Sequence, residues 1–402
     1  MRAKGRLPIV HILMATCEGE RYLGEQLASI QAQTYPHWVL HVSDDGSRDQ
    51  TLEVLKTFEK NVEALESPVG GQNLSSTRVF YYTGPKRGPT NNFLHLVQSV
   101  MARFDQEENE AEKALLGVGD DVASAVGNGI ANDIAYGRTN GRANGMSNST
   151  AHGIQGVFCQ EDLFAFADQD DVWLPDKLER SVEWHKGQTG KSIESKSDKT
   201  NEVRHEFSPS NSRPMLYAAR TIKVDARLRP LGWSKRPKGP LCFNAALVEN
   251  SLSGNTMVMN VALMKIFRLI DLDHAVWHDW STYQVATACS GDVWFDDSPC
   301  LLYRQHASNV IGVKTGLLNQ SLRMGKVLKG RYKSWTQINL LGLKDIEHQM
   351  SLDARELVLL YKEIRECQSF WRRLSLTRGL DIRRQNTFFQ VLIYLGLLLS
   401  WV

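Results

Sequence analysis

The sequence has no cysteine pair at metal-binding or redox spacing. Its six cysteines, Cys17, Cys159, Cys242, Cys289, Cys300 and Cys367, are scattered without a CxxC, which indicates neither a zinc site nor a disulfide framework and makes a reducing cytosol the simplest compartment. It also lacks a charge excess. With 47 Lys plus Arg against 45 Asp plus Glu, the formal charge is +2, which argues against nucleic-acid binding as the main task and for a locally arranged site. No Walker A or GxGxxG spacing is present. The final apolar run, Phe388 to Val402, is shorter than the roughly 20 residues needed to cross a bilayer. The basic start and short apolar run of Met1 to Thr16 include His11, offer no clean cleavage site and lead into Glu18-Gly19-Glu20-Arg21. That stretch reads as a first core strand rather than a signal peptide.

What is present centres on Phe164-Ala-Phe-Ala-Asp168-Gln-Asp170-Asp171-Val-Trp173-Leu-Pro175. An apolar run predicts a buried strand that stops at three carboxylates, and Pro175 fits the first turn of a helix. Acidic residues at a strand's carboxyl end stand where open α/β sheets bind ligands. Asp168 and Asp170 point the same way on an extended chain, at a spacing suited to one hard divalent cation that docks a diphosphate. An Asp before a helix also serves as a plain N-cap.

Around this stretch the pattern is α/β. Ile9 to Ala15 predicts a strand, and Tyr22, Leu23, Leu27 and Ile30 predict a helix. Trp38 to Ser43 predicts a second strand ending at Asp44-Asp45-Gly46-Ser47, and Leu52 to Phe58 a second helix. Asp44 and Asp45 suit hydrogen bonds from a base or ribose, and an Asp-Gly turn with an N-cap is equally compatible. Val79 to Tyr82 predicts a third strand. The glycine-flanked loop with Lys86 and Arg87 reads either as a phosphate approach or as a solvated surface turn. Residues 105–156 and 186–212 are polar or Gly-, Asn- and Ser-rich and bury too little apolar surface to offset their ordering entropy, so both read as flexible insertions. Met215 to Ala219 predicts a strand, Ala262 to Ile270 a helix, and Tyr283 to Ala288 a helix behind Trp277-His-Asp279-Trp. Asp279, flanked by aromatics, suits a carboxylate general base or an N-cap. Trp294 to Asp297 and Leu301 to His306 predict two further strand ends, the second presenting Arg304 and His306 to a diphosphate or a metal. Beyond Lys314 the pattern is helical and basic. Its apolar end, with Arg372, Arg373, Arg378, Arg383 and Arg384 before it, suits either an anionic membrane surface or burial against the domain.

Taken together, Glu20-Arg-Tyr-Leu23, Gln31-Ala-Gln-Thr-Tyr-Pro36, Ser43-Asp-Asp-Gly-Ser47, Ala167-Asp-Gln-Asp-Asp-Val-Trp173, Trp277-His-Asp-Trp280 and Tyr303-Arg-Gln-His306 resemble, in that order, the family 2 glycosyltransferases. The likeness is to the bacterial rhamnosyltransferase-like members that build cell-surface polysaccharide. It implies a GT-A fold, a Rossmann-like mixed sheet flanked by helices, over residues 8–312, with residues 313–402 a helical extension ending in the apolar tail 388–402. It implies an inverting transfer from a nucleotide-sugar, dTDP-rhamnose or a UDP-hexose, with Mg2+ or Mn2+, onto a glycan or lipid-linked acceptor at the cytoplasmic membrane face.

By position, Asp45 with Asp44 would contact the pyrimidine, and Ala15, Thr16, Glu18, Asp168 and Gln169 would line the nucleotide. Asp170 would be the principal metal residue, with Asp168, Asp171 and His306 beside it. Asp279 would take the acceptor proton, and Arg304 with His306 would steady the leaving diphosphate. Thr16-Cys17-Glu18-Gly19 departs from the family's usual Thr-Tyr-Asn-Gly. That departure favours the alternative of a catalytically silent scaffold that keeps the nucleotide-binding fold.

Overall fold

The computed structural model describes residues 7–66, 78–116, 158–191, 213–306 and 331–400. Its elements in chain order are β1 (Val10–Thr16), α1 (Glu20–Gln31), β2 (Trp38–Asp44), α2 (Thr51–Glu66), β3 (Val79–Thr83), α3 (Pro89–Leu116), β4 (Leu163–Ala167) and β5 (Val172–Trp173). There follow α4 (Lys177–Lys191), β6 (Met215–Val224), β7 (Pro230–Trp233), α5 (Phe243–Ala246), β8 (Val258–Asn260), α6 (Val261–Phe267), α7 (His278–Ala288) and β9 (Asp292–Arg304). Helices α8 (Tyr332–Asp345), α9 (Leu352–Glu366), α10 (Phe370–Thr377) and α11 (Thr387–Leu398) complete the chain.

The strands form one mixed sheet in the order β3-β2-β1-β4-β8-β6-β9-β5, with β7 on β6. β1, β2, β3 and β4 are parallel, and β8 runs antiparallel to both β4 and β6. Strand alternation divides the core. Val10, Ile12 and Met14 of β1, with Leu163, Ala165 and Ala167 of β4, pack under α1, α2 and α4. Leu13, Phe164 and Phe166 face α3, α6 and α7 on the other side. The C-terminal helices join that second cluster through Tyr332, Leu340, Leu343, Tyr361 and Leu397. Their outer surface differs: Phe388, Val391, Leu395 and Leu399 are exposed at helical spacing, beside an exposed Trp371.

Buried in the parallel half is a polar chain. His11 Nδ1 lies 3.0 Å from His41 Nε2, and His41 Nδ1 lies 3.1 Å from the Tyr82 hydroxyl. His11 Nε2 stands 3.5 Å from Asp162, whose carboxylate also accepts the Ile9 and Cys159 main-chain N–H groups. Rings of Phe80, Phe158 and Phe164 stack around the imidazoles.

Three expectations change. α3 does not end near Asp105 but continues to Leu116, because Arg103–Glu107, Arg268–Asp105 and Lys265–Glu108 ion pairs tie its polar second half down; residues 117–157 lie outside the described residues, as do 192–212. The two strand ends read around Asp296 and Arg304 belong to one strand, β9, which absorbs Ser298-Pro299 in a register shift opposite Ala219 to Thr221. β7 was not foreseen, since all four of its residues are exposed and carry no alternation.

Candidate active site

β4 ends at Ala167, and the chain turns through Asp168 to Asp171 before β5 pairs with β9. The turn brings Asp168, Asp170 and Asp171 together, with a carboxylate oxygen from each within 4.8 Å of the others. Asp171 is buried. Its Oδ2 accepts the Asn255 side-chain amide at 2.5 Å and its Oδ1 accepts the Arg304 main-chain N–H at 3.3 Å. Asp170 Oδ2 meets His306 Nε2 at 2.7 Å.

The electrostatics are those of like charges crowded out of water. Burial first, then Asp170 and Asp279, push the Asp168 carboxyl up to about 7. Burial first, then Asp168 and Asp170, push Asp171 well above the ordinary carboxylate range. Lys177, fully buried below, is brought down to about 7 by burial; its ammonium donates to the Asn255 carbonyl at 2.7 Å and sits 3.2 Å over the Trp173 ring.

Asp279 lies in the first turn of α7, one residue inside the helix rather than ahead of it. Burial raises it to about 6, against hydrogen bonds from the Trp280 main chain, Asn250 and Gly254. Its neighbour His278 stacks 4.0 Å from Phe93 and is held neutral by burial, which lowers it to about 3. The short 3-10 turn Gly254–Thr256 packs directly beneath: a Cβ on Gly254 would lie 2.5 Å from His278 Nε2 and 3.1 Å from the Asp279 Cβ. So this turn touches Asp279 on one side and, through Asn255, the acidic cluster on the other.

Arg304 is 1% exposed, and its donors are spent inside the protein. Nε donates to the Asp170 carbonyl at 2.8 Å, Nη1 to Ala226 at 2.8 Å and Nη2 to Glu25 at 2.5 Å. Its guanidinium lies 4.4 Å over Tyr22, whose ring is 5.0 Å from His306.

The parallel half contributes a wall of loops. Asp44 is consumed by its own turn, accepting Gly46 N–H, Ser47 N–H and hydroxyl, and Thr16 hydroxyl at 2.6–3.0 Å. Asp45 reaches across to the next loop, accepting Lys86 N–H at 2.5 Å and Gly88 N–H at 2.8 Å. That loop is therefore anchored on a carboxylate, and Arg87 pairs with Asp273. Gln169 pairs its side-chain amide with the Cys17 main chain in both directions, at 2.9 Å each. Glu18 adopts a left-handed φ of 50°. Its N–H donates to Ser47 at 2.9 Å and its carboxylate accepts Arg48 N–H at 3.0 Å, so the acidic departure faces the β2–α2 loop. Ala15 and Thr16 close the end of β1 beside these loops.

Sequence reasoning thus named the three carboxylates, Asp279 and His306, which the structure gathers at one end of the sheet. It missed Asn255, Glu25 and the role of Lys177. Ser253-Gly-Asn-Thr256 read only as a break between apolar segments, and nothing in its composition signals a contact to Asp171 from 84 residues away.

Residues 11–102 match the family model Glycosyl transferase family 2, so the family expected from the motifs is borne out over the segment carrying Thr16, Asp44 and Asp45. Over 320 residues, 80% of this chain and 81% of the relative, the chain is 20% identical to the dTDP-rhamnosyl transferase RfbG of Shigella flexneri. Among solved structures it is similar to S. aureus TarS 1-349 in complex with UDP, at 12% identity and a TM-score of 0.43, covering 92% of this chain and 86% of that one. It is also similar to the mannosyltransferase PcManGT from Pyrobaculum calidifontis in complex with GDP-Man and Mn2+, at 13% identity and a TM-score of 0.37, covering 98% and 86%.

Proposed function

We propose that this chain is an inverting, divalent-cation-dependent glycosyltransferase that moves rhamnose or a hexose from a nucleoside-diphosphate sugar to a hydroxyl of a glycan or lipid-linked acceptor. One observation carries the reading: three carboxylates gathered within 4.8 Å, with a desolvated fourth, Asp279, acting in the same field. The donor set is all carboxylate oxygen, which fits a hard cation such as Mg2+ or Mn2+, and the upward shift of Asp168 is what an uncompensated cluster of this kind produces. Asp170 and Asp168 would hold the cation, with Asp171 and His306 beside them. When bound, it offsets the charge that develops on the departing diphosphate.

The chain's own residues supply the rest. Asp279, raised to about 6 by burial, is ionised at neutral pH yet basic enough to take the proton of the acceptor hydroxyl as that oxygen displaces the diphosphate. His306 stands beside Asp170 to donate to the leaving oxygen, while Arg304, spent on Asp170, Ala226 and Glu25, acts by fixing that wall. Asp45 offers its remaining lone pairs to the base, and the Thr16, Gln169 and Cys17 contacts shape the floor under it. Because the Glu18 carboxylate accepts the Arg48 main-chain N–H, it is turned toward the β2–α2 loop, which weighs against a silent scaffold. The name of the Shigella relative makes dTDP-rhamnose the first donor to try, ahead of a UDP-hexose.

Among the described residues no helix is long and apolar enough to cross a membrane. The exposed stripe of α11 with Trp371 nearby suits peripheral contact with an anionic leaflet at its cytoplasmic face. Sedimentation with anionic against zwitterionic vesicles tests this, and equal absence from both pellets would remove it. The transferase itself is tested by melting the purified protein with UDP, dTDP and GDP, each with and without Mn2+. A cation-dependent rise with one pyrimidine diphosphate is expected, and no shift with any of them in a folded sample would sink the reading.

A further inference from the structure

Asp168, Asp170 and Asp171 each place a carboxyl oxygen within 4.8 Å of the others, a crowding that disfavours charge on all three and that a restraint must hold in place. For Asp171 the restraint is visible. Its Oδ2 is tied to the Asn255 amide at 2.5 Å. Asn255 is itself 2% exposed and gripped on two further sides: Ser253 Oγ donates to its Oδ1 at 2.8 Å, and the buried Lys177 ammonium donates to its carbonyl at 2.7 Å. The turn that carries it is packed close against α7, where a Cβ on Gly254 would lie 2.5 Å from His278 Nε2 and 3.1 Å from the Asp279 Cβ. A chain of contacts therefore runs from Lys177 through Asn255 to Asp171 and keeps that carboxylate aimed at its partners.

We infer that Asn255 is a positioning residue for the cation of the proposed transfer, setting its affinity by holding Asp171 against Asp168 and Asp170. The inference rests on the transferase reading above. Outer partners that orient carboxylates contribute to metal affinity well beyond their own hydrogen bond, since they prepay the cost of bringing the charges together. A side chain that merely fills space at residue 255 would instead affect folding stability and leave cation binding alone.

The test titrates Mn2+ alone into the purified full chain and reads the free aquo-ion by electron paramagnetic resonance. Asn255→Ala should weaken Mn2+ binding by about 10- to 100-fold, and raise the Mn2+ needed for half-maximal transfer by a similar factor, with activity recovering when Mn2+ is raised to saturation. The pH dependence set by Asp279 should not move. Ser253→Ala, which loosens Asn255 without touching its bond to Asp171, should act in the same direction more weakly and covers the case in which Asn255→Ala fails to fold. Mn2+ affinity and requirement within twofold of the parent in the folded variants would overturn the inference while leaving the transferase intact. A parent protein that binds no Mn2+ even at millimolar concentration would overturn both.

Discussion

Two buried polar clusters sit in this sheet, and they are built on opposite logics. In the parallel half, His41 hydrogen-bonds His11 on one side and Tyr82 on the other, and Asp162 closes the far end; every group meets a complementary one. At the carboxyl end of β4, Asp168, Asp170 and Asp171 meet one another. The first cluster pairs unlike groups, whereas the second crowds three like ones, relieved in part by the Asn255 amide, the Arg304 main-chain N–H and His306. A polar group that satisfies its neighbours stabilises the fold, whereas one that opposes them costs stability and is retained for chemistry.

The sharpest way to break that contrast is Asp170→Asn. It should cost transfer about 10³-fold or more, through loss of several kcal/mol of charge stabilisation, and abolish the Mn2+-dependent rise in melting temperature. The cation-free protein should melt close to the parent, since the repulsion lost with Asp168 and Asp171 offsets the weakened Asp170–His306 pair. A lower melting temperature in that variant would show that the cluster is structural. Asp279→Asn should reduce kcat by about 10²- to 10³-fold while dTDP or UDP with Mn2+ still raises the melting temperature, separating base from binding. In the parent, transfer should rise with pH through about 6, the value to which burial raises Asp279, and level off above it; a profile with no inflection below neutrality would exclude Asp279 as the base.

The two clusters should also give stability opposite pH slopes. Asp168 is raised to about 7, so between its unfolded value of about 3.9 and that point the folded state holds a proton the unfolded chain has released; stability falls as pH rises through that window. Mn2+ should restore it at neutral pH. His41 is lowered well below its ordinary value by burial first, then by His11 and Arg103, so the unfolded chain binds the proton first and stability falls as pH drops below about 6.5. His41→Gln should flatten the acid limb at a cost of about 1–2 kcal/mol, with nucleotide binding unchanged. A melting temperature independent of pH across both windows would remove the distinction.

Much of this was readable in advance, where a physical signal is local. The apolar runs of β1, β2 and β4 fix the first half of the sheet and were predicted within a residue or two, and the spacing of Tyr22, Leu23, Leu27 and Ile30 marked the helix α1 between them. The carboxylates at the end of β4 were legible because capping needs one Asp and leaves the other two repelling each other. Arg304 was legible as a strand-exit cation but not in its role, since burial and the contacts to Asp170, Ala226 and Glu25 are tertiary facts. Asn255 was invisible for the same reason. β9 was read as two pieces because Pro299 normally ends a strand, and here a register shift carries the chain past it.

The amide pair between Gln169 and the Cys17 main chain has a further consequence. It adds a rung to the β1–β4 ladder after the last backbone pair, Met14 with Ala167, using a side chain as a substitute peptide. The rung exists only because Gly19 leaves room: a Cβ there would collide with the Gln169 carboxamide, with its Cδ at 2.9 Å. A side chain gained at 19 would push the Gln169 carboxamide aside and cost the rung, which couples two positions 150 residues apart in the chain.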